Sequence, residues 1–246
     1  MTRPNSTSPL SPQRLSSYGT SNAPALRLEH VTRTHRDGQT TVTALDDVSL
    51  TVEPGELVAV MGPSGSGKST LLNVAGTLDT PTSGTVRIGG VDVSELSPTR
   101  RAEVRRRHVG YVFQDYNLVP TLTVAENISL PLELDRVGRR DARRRALDAL
   151  EDLGLTALAD RFPAEVSGGQ AQRVAIARGL IGDRHLVLAD EPTGALDSVT
   201  ADYVMELLRT RVTDGAAGLL VTHEPRFAAF ADRTVHLRDG RILGGQ

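Results

Sequence analysis

Residues 57–75 of this 246-residue chain have the sequence LVAVMGPSGSGKSTLLNVA, and this stretch predicts the fold. The short apolar run Leu57–Met61 is followed by a glycine-rich segment and then by residues that favour a helix from Ser69 onward. Gly62–Thr70 matches the pattern G-x-x-x-x-G-K-[ST] in full. A strand, a glycine-rich turn and a helix in this order are the context that a phosphate-binding loop requires. The sequence therefore predicts a nucleotide-phosphate site at the end of a strand.

The chemistry of this loop follows from its residue types. Glycines let the backbone curl so that successive N–H groups point at phosphate oxygens, and the following helix adds the positive end of its dipole. We expect Lys68 to reach the β- and γ-phosphates and the Ser69 hydroxyl to bind Mg²⁺. A glycine-rich turn with a solvated lysine is the alternative, which the flanking strand and helix disfavour. The expected nucleotide-binding residues are Gly62, Pro63, Ser64, Gly65, Ser66, Gly67, Lys68, Ser69 and Thr70.

Two carboxylates follow a second apolar run. Leu186–Ala189 is typical of a buried strand, and Asp190 and Glu191 come directly after it. Asp190 fits an acid on the Mg²⁺ side that acts through a bound water, and Glu191 fits the residue that polarises the attacking water. Acidic residues at strand ends are also often helix caps. The complete phosphate loop upstream favours the catalytic interpretation.

Strand and helix patterns alternate through the second half of the chain, which predicts an α/β fold with a mainly parallel sheet. A helical stretch at about residues 115–165 is expected to interrupt it as a subdomain. Residues 1–24 are rich in Ser, Thr, Pro and Asn, so we expect a disordered tail before a single domain at 25–246. Predicted strands are Leu26–Val31, Val42–Val52, Gly84–Val93, Val109–Phe113, Leu219–Thr222, Val235–Leu237 and Arg241–Leu243, and predicted helices are Asp141–Leu153, Gln170–Leu180 and Ala201–Val212.

Composition excludes several classes of function. The chain has no Cys, so disulfides and thiolate metal sites are excluded. A formal net charge of −2 gives no global basic field for nucleic acid. No stretch approaches the roughly 18 to 20 apolar residues that a membrane span needs, and the N-terminus does not resemble a signal peptide. Any membrane role is therefore expected to come through a partner.

Further motifs occur in a characteristic order. Val166–Gln170, followed by Ala171-Gln172-Arg173, closely resembles the signature loop of ABC ATPases. Gln114 resembles the Q-loop glutamine of that family, Ala195–Ser198 its D-loop and His223 its switch histidine. Each is weak alone, but the complete ordered set spans about Leu26–Ile242 and identifies the chain as a member of the ABC ATPases.

The resemblance implies the ABC ATPase fold, with a P-loop NTPase core, an antiparallel β subdomain and an α-helical insertion. It also implies ATP hydrolysis with Mg²⁺ in a head-to-tail dimer, where the phosphate loop of one copy and the signature loop of the other enclose ATP. Glu191, His223, Gln114 and Lys68 are then catalytic, and Ser69, Gln114 and Asp190 are on the metal side. Residues expected to act across the dimer are Ser167, Gly168, Gly169, Gln170 and Asp197.

The chain departs from the family at the residue that usually stacks on adenine. His35 is expected to occupy this position, which is commonly aromatic, because it lies shortly before Val42-Thr43-Ala44-Leu45. An imidazole offers less stacking area than a tyrosine, so weaker adenine affinity is expected.

The segments 44–50, 118–128 and 190–198 resemble the macrolide-export and lipoprotein-release branch. In that branch the ATPase works with a separate membrane permease, which implies a peripheral location at the cytoplasmic face and export or mechanical work outside the membrane. A soluble ABC ATPase acting on DNA or ribosomes is the alternative. It is disfavoured because the chain has no zinc module, no heptad stretch and only one set of motifs. No nucleic-acid partner is expected.

Two arginine clusters leave three interpretations open. Solvated helix faces are the plainest, anionic lipid headgroups beside a permease are second, and nucleic acid is third because no aromatics are interleaved. The clusters are Arg100, Arg101, Arg105, Arg106 and Arg107, and Arg139, Arg140, Arg143, Arg144 and Arg145.

Overall fold

Alternating apolar residues bury one face of two long antiparallel strands, β1 (Leu26–Asp37) and β2 (Thr40–Val52). This is a computed structural model, in which residues 23–38 and 40–243 are described. The tail predicted at residues 1–24 lies outside the described residues except for Ala23 and Pro24.

Two shorter strands, β4 (Ser83–Ile88) and β5 (Val91–Asp92), complete this antiparallel sheet in the order β2-β1-β4-β5. The edge segment predicted at Gly84–Val93 therefore consists of two strands, which are separated at Gly89-Gly90, where the sequence predicts a turn. Gly89 and Gly90 both have positive φ, at 54° and 81°, and reverse the chain between the two strands.

The second sheet contains the parallel core. Its strands are β3 (Leu57–Met61), β6 (Val109–Val112), β7 (Leu186–Asp190), β8 (Ala217–Val221), β9 (Arg233–Arg238) and β10 (Arg241–Leu243). The order is β10-β9-β3-β8-β7-β6, and every pair is parallel except the β9–β10 hairpin. All residues of β7 and β8 are buried, as expected of strands covered on both faces. The predicted α/β fold is confirmed.

Helices cover both faces of this sheet and form a separate layer. They are α1 (Lys68–Ala75), α2 (Pro98–His108), α3 (Val124–Leu134), α4 (Arg139–Asp152), α5 (Gly168–Leu180), α6 (Ser198–Thr213) and α7 (Pro225–Ala228), with 3₁₀ turns at Thr156–Leu158 and Pro163–Glu165. Buried residues of α3, α4 and α5 share one apolar cluster, so the helical layer packs on the helix that begins at the signature loop. No helix of the described residues is long and apolar enough to span a membrane.

The arginine clusters lie on α2 and α4, where acidic neighbours and carbonyl groups engage most of their guanidinium groups. Arg106 contacts Asp135 at 2.7 Å, and Arg143 contacts Asp160 at 2.7 Å. Similar ion pairs involve Arg100, Arg107, Arg139, Arg144 and Arg145. This local neutralisation favours solvated helix faces over a free basic surface.

Candidate nucleotide site

The register of the parallel sheet brings the predicted site residues to one edge. Val221 at the end of β8 is level with Val60 of β3 on one side and with Asp190 of β7 on the other. The residues that follow these strands therefore meet around a cleft of about 930 Å³. Its lining includes most of the phosphate loop together with Gln114, Asp190, Glu191 and His223.

Two glycines of the phosphate loop are required by close contacts with neighbouring backbone. A Cβ atom on Gly62 would lie 2.1 Å from the Leu237 carbonyl oxygen, and one on Gly67 would lie 2.3 Å from the Ala44 carbonyl oxygen. Gly67 also has a φ of 104°, which side chains rarely adopt, and it is the residue from which α1 begins. The loop is thus held between β2 and β9.

Lys68 and Ser69 stand at the start of α1 beside the carboxylates. The Lys68 ammonium donates to the carbonyl oxygens of Gly62 at 2.8 Å and Pro63 at 2.9 Å, which keeps its charge at the mouth of the loop. The Ser69 hydroxyl hydrogen-bonds Asp190. Burial raises the pKa of Asp190 above its usual value, and the nearby Glu191 raises it further, while Ser69 and Lys68 oppose this shift.

Glu191 and His223 form a direct pair. His223 Nδ1 lies 2.9 Å from Glu191 Oε1, and Glu191 is mostly buried while the imidazole is largely exposed to the cleft. The hydrogen bond and the negative charge of Glu191 raise the pKa of His223, with a smaller contribution from Glu224. This arrangement holds an imidazole and a carboxylate together in the cleft. The other acidic residues that line the cleft are Asp115 and Asp190.

The five residues predicted to act across the dimer do not line this cleft, although Ala195 of the D-loop segment does. Ser66 of the phosphate loop is buried and does not line it either. Ser167 caps α5, where its hydroxyl accepts from the Gln170 N–H and the Gln170 side chain accepts from the Ser167 N–H. Asp197 caps α6 by accepting hydrogen bonds from the N–H and the hydroxyl of Thr200. The five residues outside the cleft that were predicted to act across the dimer are Ser167, Gly168, Gly169, Gln170 and Asp197. Three of them are exposed to solvent, namely Ser167, Gly168 and Asp197.

His35, the residue expected to stack on adenine, lies on β1 opposite Val42. His35 does not line the cleft, whereas its strand partner Val42 does. Val42 is 56% exposed, which is unusual for a valine in a strand. Sequence reasoning missed Val42, Thr43 and Ala44 as lining residues, because nothing in a strand pattern indicates which apolar residue faces a ligand.

Comparisons with known proteins agree with this geometry. The sequence profile of the family described as ABC transporter matches residues 45–194, more than half of the chain. The lipoprotein-releasing system ATP-binding protein LolD of Bordetella avium (strain 197N) is 46% identical over 227 residues, covering 92% of this chain and 99% of that protein. The macrolide export ATP-binding/permease protein MacB of Salmonella choleraesuis (strain SC-B67) is 46% identical over 218 residues, covering 89% of this chain.

This chain spans about a third of MacB, or 34% of its length. Among solved structures, a dimeric post-hydrolysis state of the ATP-binding cassette MJ0796, bound to ADP and Pi, superimposes with a TM-score of 0.86. That protein is 41% identical, and the match covers 90% of this chain and 97% of the other.

Proposed function

The chain belongs to the ABC transporter family as an ATP-binding and ATP-hydrolysing subunit, and we propose that two copies enclose ATP between them to drive a membrane permease. LolD and MacB are both transport proteins by their descriptions, so the similarity favours a transporter subunit over an ATPase that acts on DNA or ribosomes.

The division of the site between two surfaces carries this proposal. The phosphate loop, Gln114, Glu191 and His223 share one cleft, whereas Ser167 and Asp197 are exposed away from it. Ser167 begins α5, whose N-terminal N–H groups and positive dipole end suit an anion. A second copy placed head to tail would bring its signature loop over the cleft and complete the site. The dimeric state of the similar cassette MJ0796 supports this arrangement.

Each residue of the cleft has a role that its position suits. The backbone of the phosphate loop and Lys68 bind the phosphates, and Val42 offers an apolar contact on the cleft wall, opposite His35 on the paired strand. Glu191 orients and polarises the attacking water, and His223 holds its carboxylate in place and contacts the γ-phosphate. Gln114 lies on the cleft wall, where it can sense the attacking water.

The donor set also fits Mg²⁺. No group of three or more His, Asp, Glu or Cys that could hold a metal occurs in the described residues. Mg²⁺ in phosphoryl-transfer sites typically uses one or two protein oxygens together with phosphates and waters, and Ser69 beside Asp190 supplies such a pair. Ser69, Asp190 and Gln114 would hold the ion, which neutralises charge on the phosphates when bound.

We further propose that the subunit works at the cytoplasmic face of the membrane through a permease, in export or in work on substrates outside the membrane. MacB joins ATP-binding and permease functions in one name, and LolD is part of a lipoprotein-releasing system. These descriptions apply to LolD and MacB themselves, and their agreement supports the proposal that this chain works in the same branch of the family.

The mass in solution of the Glu191→Gln variant tests the dimer. We expect a monomer without nucleotide and a dimer with ATP, because binding is intact while hydrolysis, which releases the dimer, is slow. A monomer at saturating ATP would count against two composite sites.

A matched pair of cap variants makes this test specific. Ser167 and Thr123 both begin helices with a capping box, so replacing either by Ala costs about 1 kcal/mol of stability. In the Glu191→Gln background, Ser167→Ala should weaken ATP-dependent dimerisation, whereas Thr123→Ala should not.

A further inference from the structure

Gln172 is a buried amide that links two parts of the site. It lies on α5, two residues after the signature loop, and is 1% exposed. Its Nε2 donates to the Pro192 carbonyl oxygen at 2.8 Å, and Pro192 directly follows Glu191. Its Oε1 has no hydrogen-bond partner among the described residues. Because buried polar side chains are usually held by specific hydrogen bonds, the bond from Nε2 to Pro192 fixes how this amide sits between the two segments.

The turn that Gln172 contacts is one that requires support. Glu191 has a φ of 45°, a left-handed conformation that is uncommon for a residue with a side chain and persists where the surroundings enforce it. The Glu191 N–H donates to Val221 at 3.0 Å, and its carbonyl accepts from the Gly194 N–H at 3.3 Å. Gln172 adds a side-chain hydrogen bond at the next residue along the chain.

A second contact joins the same two segments. A Cβ atom on Gly169 would lie 3.6 Å from the Ala195 carbonyl oxygen and 3.7 Å from the Leu196 side chain. The start of α5 therefore packs on the residues between Glu191 and α6. Two independent contacts tie the signature helix to the segment that carries the proposed catalytic carboxylate.

We propose that Gln172 is a positioning residue that holds the Glu191–Pro192 turn to helix α5, so that the Glu191 carboxylate stays beside His223. Because α5 begins with the signature loop, the same bond ties the carboxylate of one ATP site to the loop that serves the other. This second consequence rests on the proposed dimer, whereas the positioning of Glu191 does not.

The test uses the full chain and the variant Gln172→Met, which keeps the length of the side chain but cannot donate a hydrogen bond. Three quantities are measured: the titration midpoint of His223 by NMR, kcat and KM for ATP hydrolysis, and the affinity for a fluorescent ATP analogue. Glu191→Gln gives the His223 midpoint in the absence of the carboxylate. Ile176→Val, a fully buried change on the same helix whose side chain cannot hydrogen-bond Pro192, is the matched control for a weakened α5.

In Gln172→Met we expect the His223 midpoint to fall toward that of Glu191→Gln, because the carboxylate is no longer held beside the imidazole. kcat should fall by about tenfold to a hundredfold, as for a small misplacement of a catalytic group, while analogue binding is retained. Ile176→Val should change neither the midpoint nor kcat.

An unchanged His223 midpoint in Gln172→Met would overturn the positioning role, whatever happens to kcat. A shifted midpoint with wild-type kcat would refute its importance for catalysis. If Glu191→Gln itself hydrolyses ATP at the wild-type rate, the proposed role of Glu191 fails, and the midpoint still reports whether Gln172 positions it.

Discussion

Two glycines of the phosphate loop should respond differently to alanine, although both have positive φ. Gly67 has a φ of 104°, and an added Cβ would lie 2.3 Å from the Ala44 carbonyl oxygen. Gly65 has a φ of 77° and lines the cleft, and nothing lies within 4 Å of its added Cβ. Protein backbone leaves no room for a side chain at Gly67, whereas the space around an added Cβ on Gly65 is free of protein atoms.

The magnitudes follow from these contacts. At Gly67 the strained backbone costs about 1–3 kcal/mol and the clash about 1–3 kcal/mol more, so Gly67→Ala should lower stability by about 2–6 kcal/mol. At roughly 2–4 °C per kcal/mol for a chain of this size, the Tm should fall by about 4–24 °C. Gly65→Ala should cost only about 1–2 kcal/mol for its left-handed conformation. Its methyl group should instead obstruct the phosphates and weaken ATP binding.

The assay is thermal unfolding without nucleotide, followed by titration with a fluorescent ATP analogue. Gly138→Ala is a suitable control, because Gly138 has a φ of −59° and nothing within 4 Å of an added Cβ. A Tm of Gly67→Ala close to that of wild type would show that Ala44 does not fix the loop. Wild-type ATP affinity in Gly65→Ala would refute the placement of phosphates beside that residue.

Three further predictions concern the charge of Lys68, the pH dependence of the His223–Glu191 pair and the buried side chain of Asn127. Lys68→Ala should lower kcat/KM for ATP by a factor of about 10² or more, since a preorganised charge on the phosphates is lost, and normal steady-state hydrolysis would refute the site. The raised pKa of His223 means that its pairing with Glu191 stabilises the fold fully below the unfolded pKa of about 6.5, and that this contribution is lost as pH rises through the folded value. Urea unfolding of wild type and His223→Gln should therefore differ most at low pH, and a difference that grows with pH would contradict the pair. Asn127 is fully buried and its side chain bonds Val119, Leu122 and Thr123, so Asn127→Ala should cost about 2–4 kcal/mol. Unchanged denaturant unfolding and unchanged hydrogen exchange at Val119 would count against that role.

The phosphate loop and the acidic strand end could be predicted from sequence because each is a contiguous segment. Local residue types determine a strand, a turn with glycines and a helix start, and their function is fixed by the backbone they form. The order of Gln114, the signature loop, Glu191 and His223 likewise predicted the family, which the comparisons confirm. The turn between β4 and β5 could also be predicted locally, because Gly89-Gly90 is a turn signal and both glycines have positive φ.

The sequence by itself predicted two phosphate-binding segments together with a lysine, two carboxylates and a histidine, but it could not say which of them share a cleft. Tertiary structure decided this, because the parallel register of β3, β7 and β8 brings residues far apart in the chain to one edge, while α5 begins on another surface. It also decided that Val42 rather than His35 lines the cleft, and that Gln172 reaches Pro192. Such contacts depend on which faces of separate elements meet, and a local sequence pattern does not encode them.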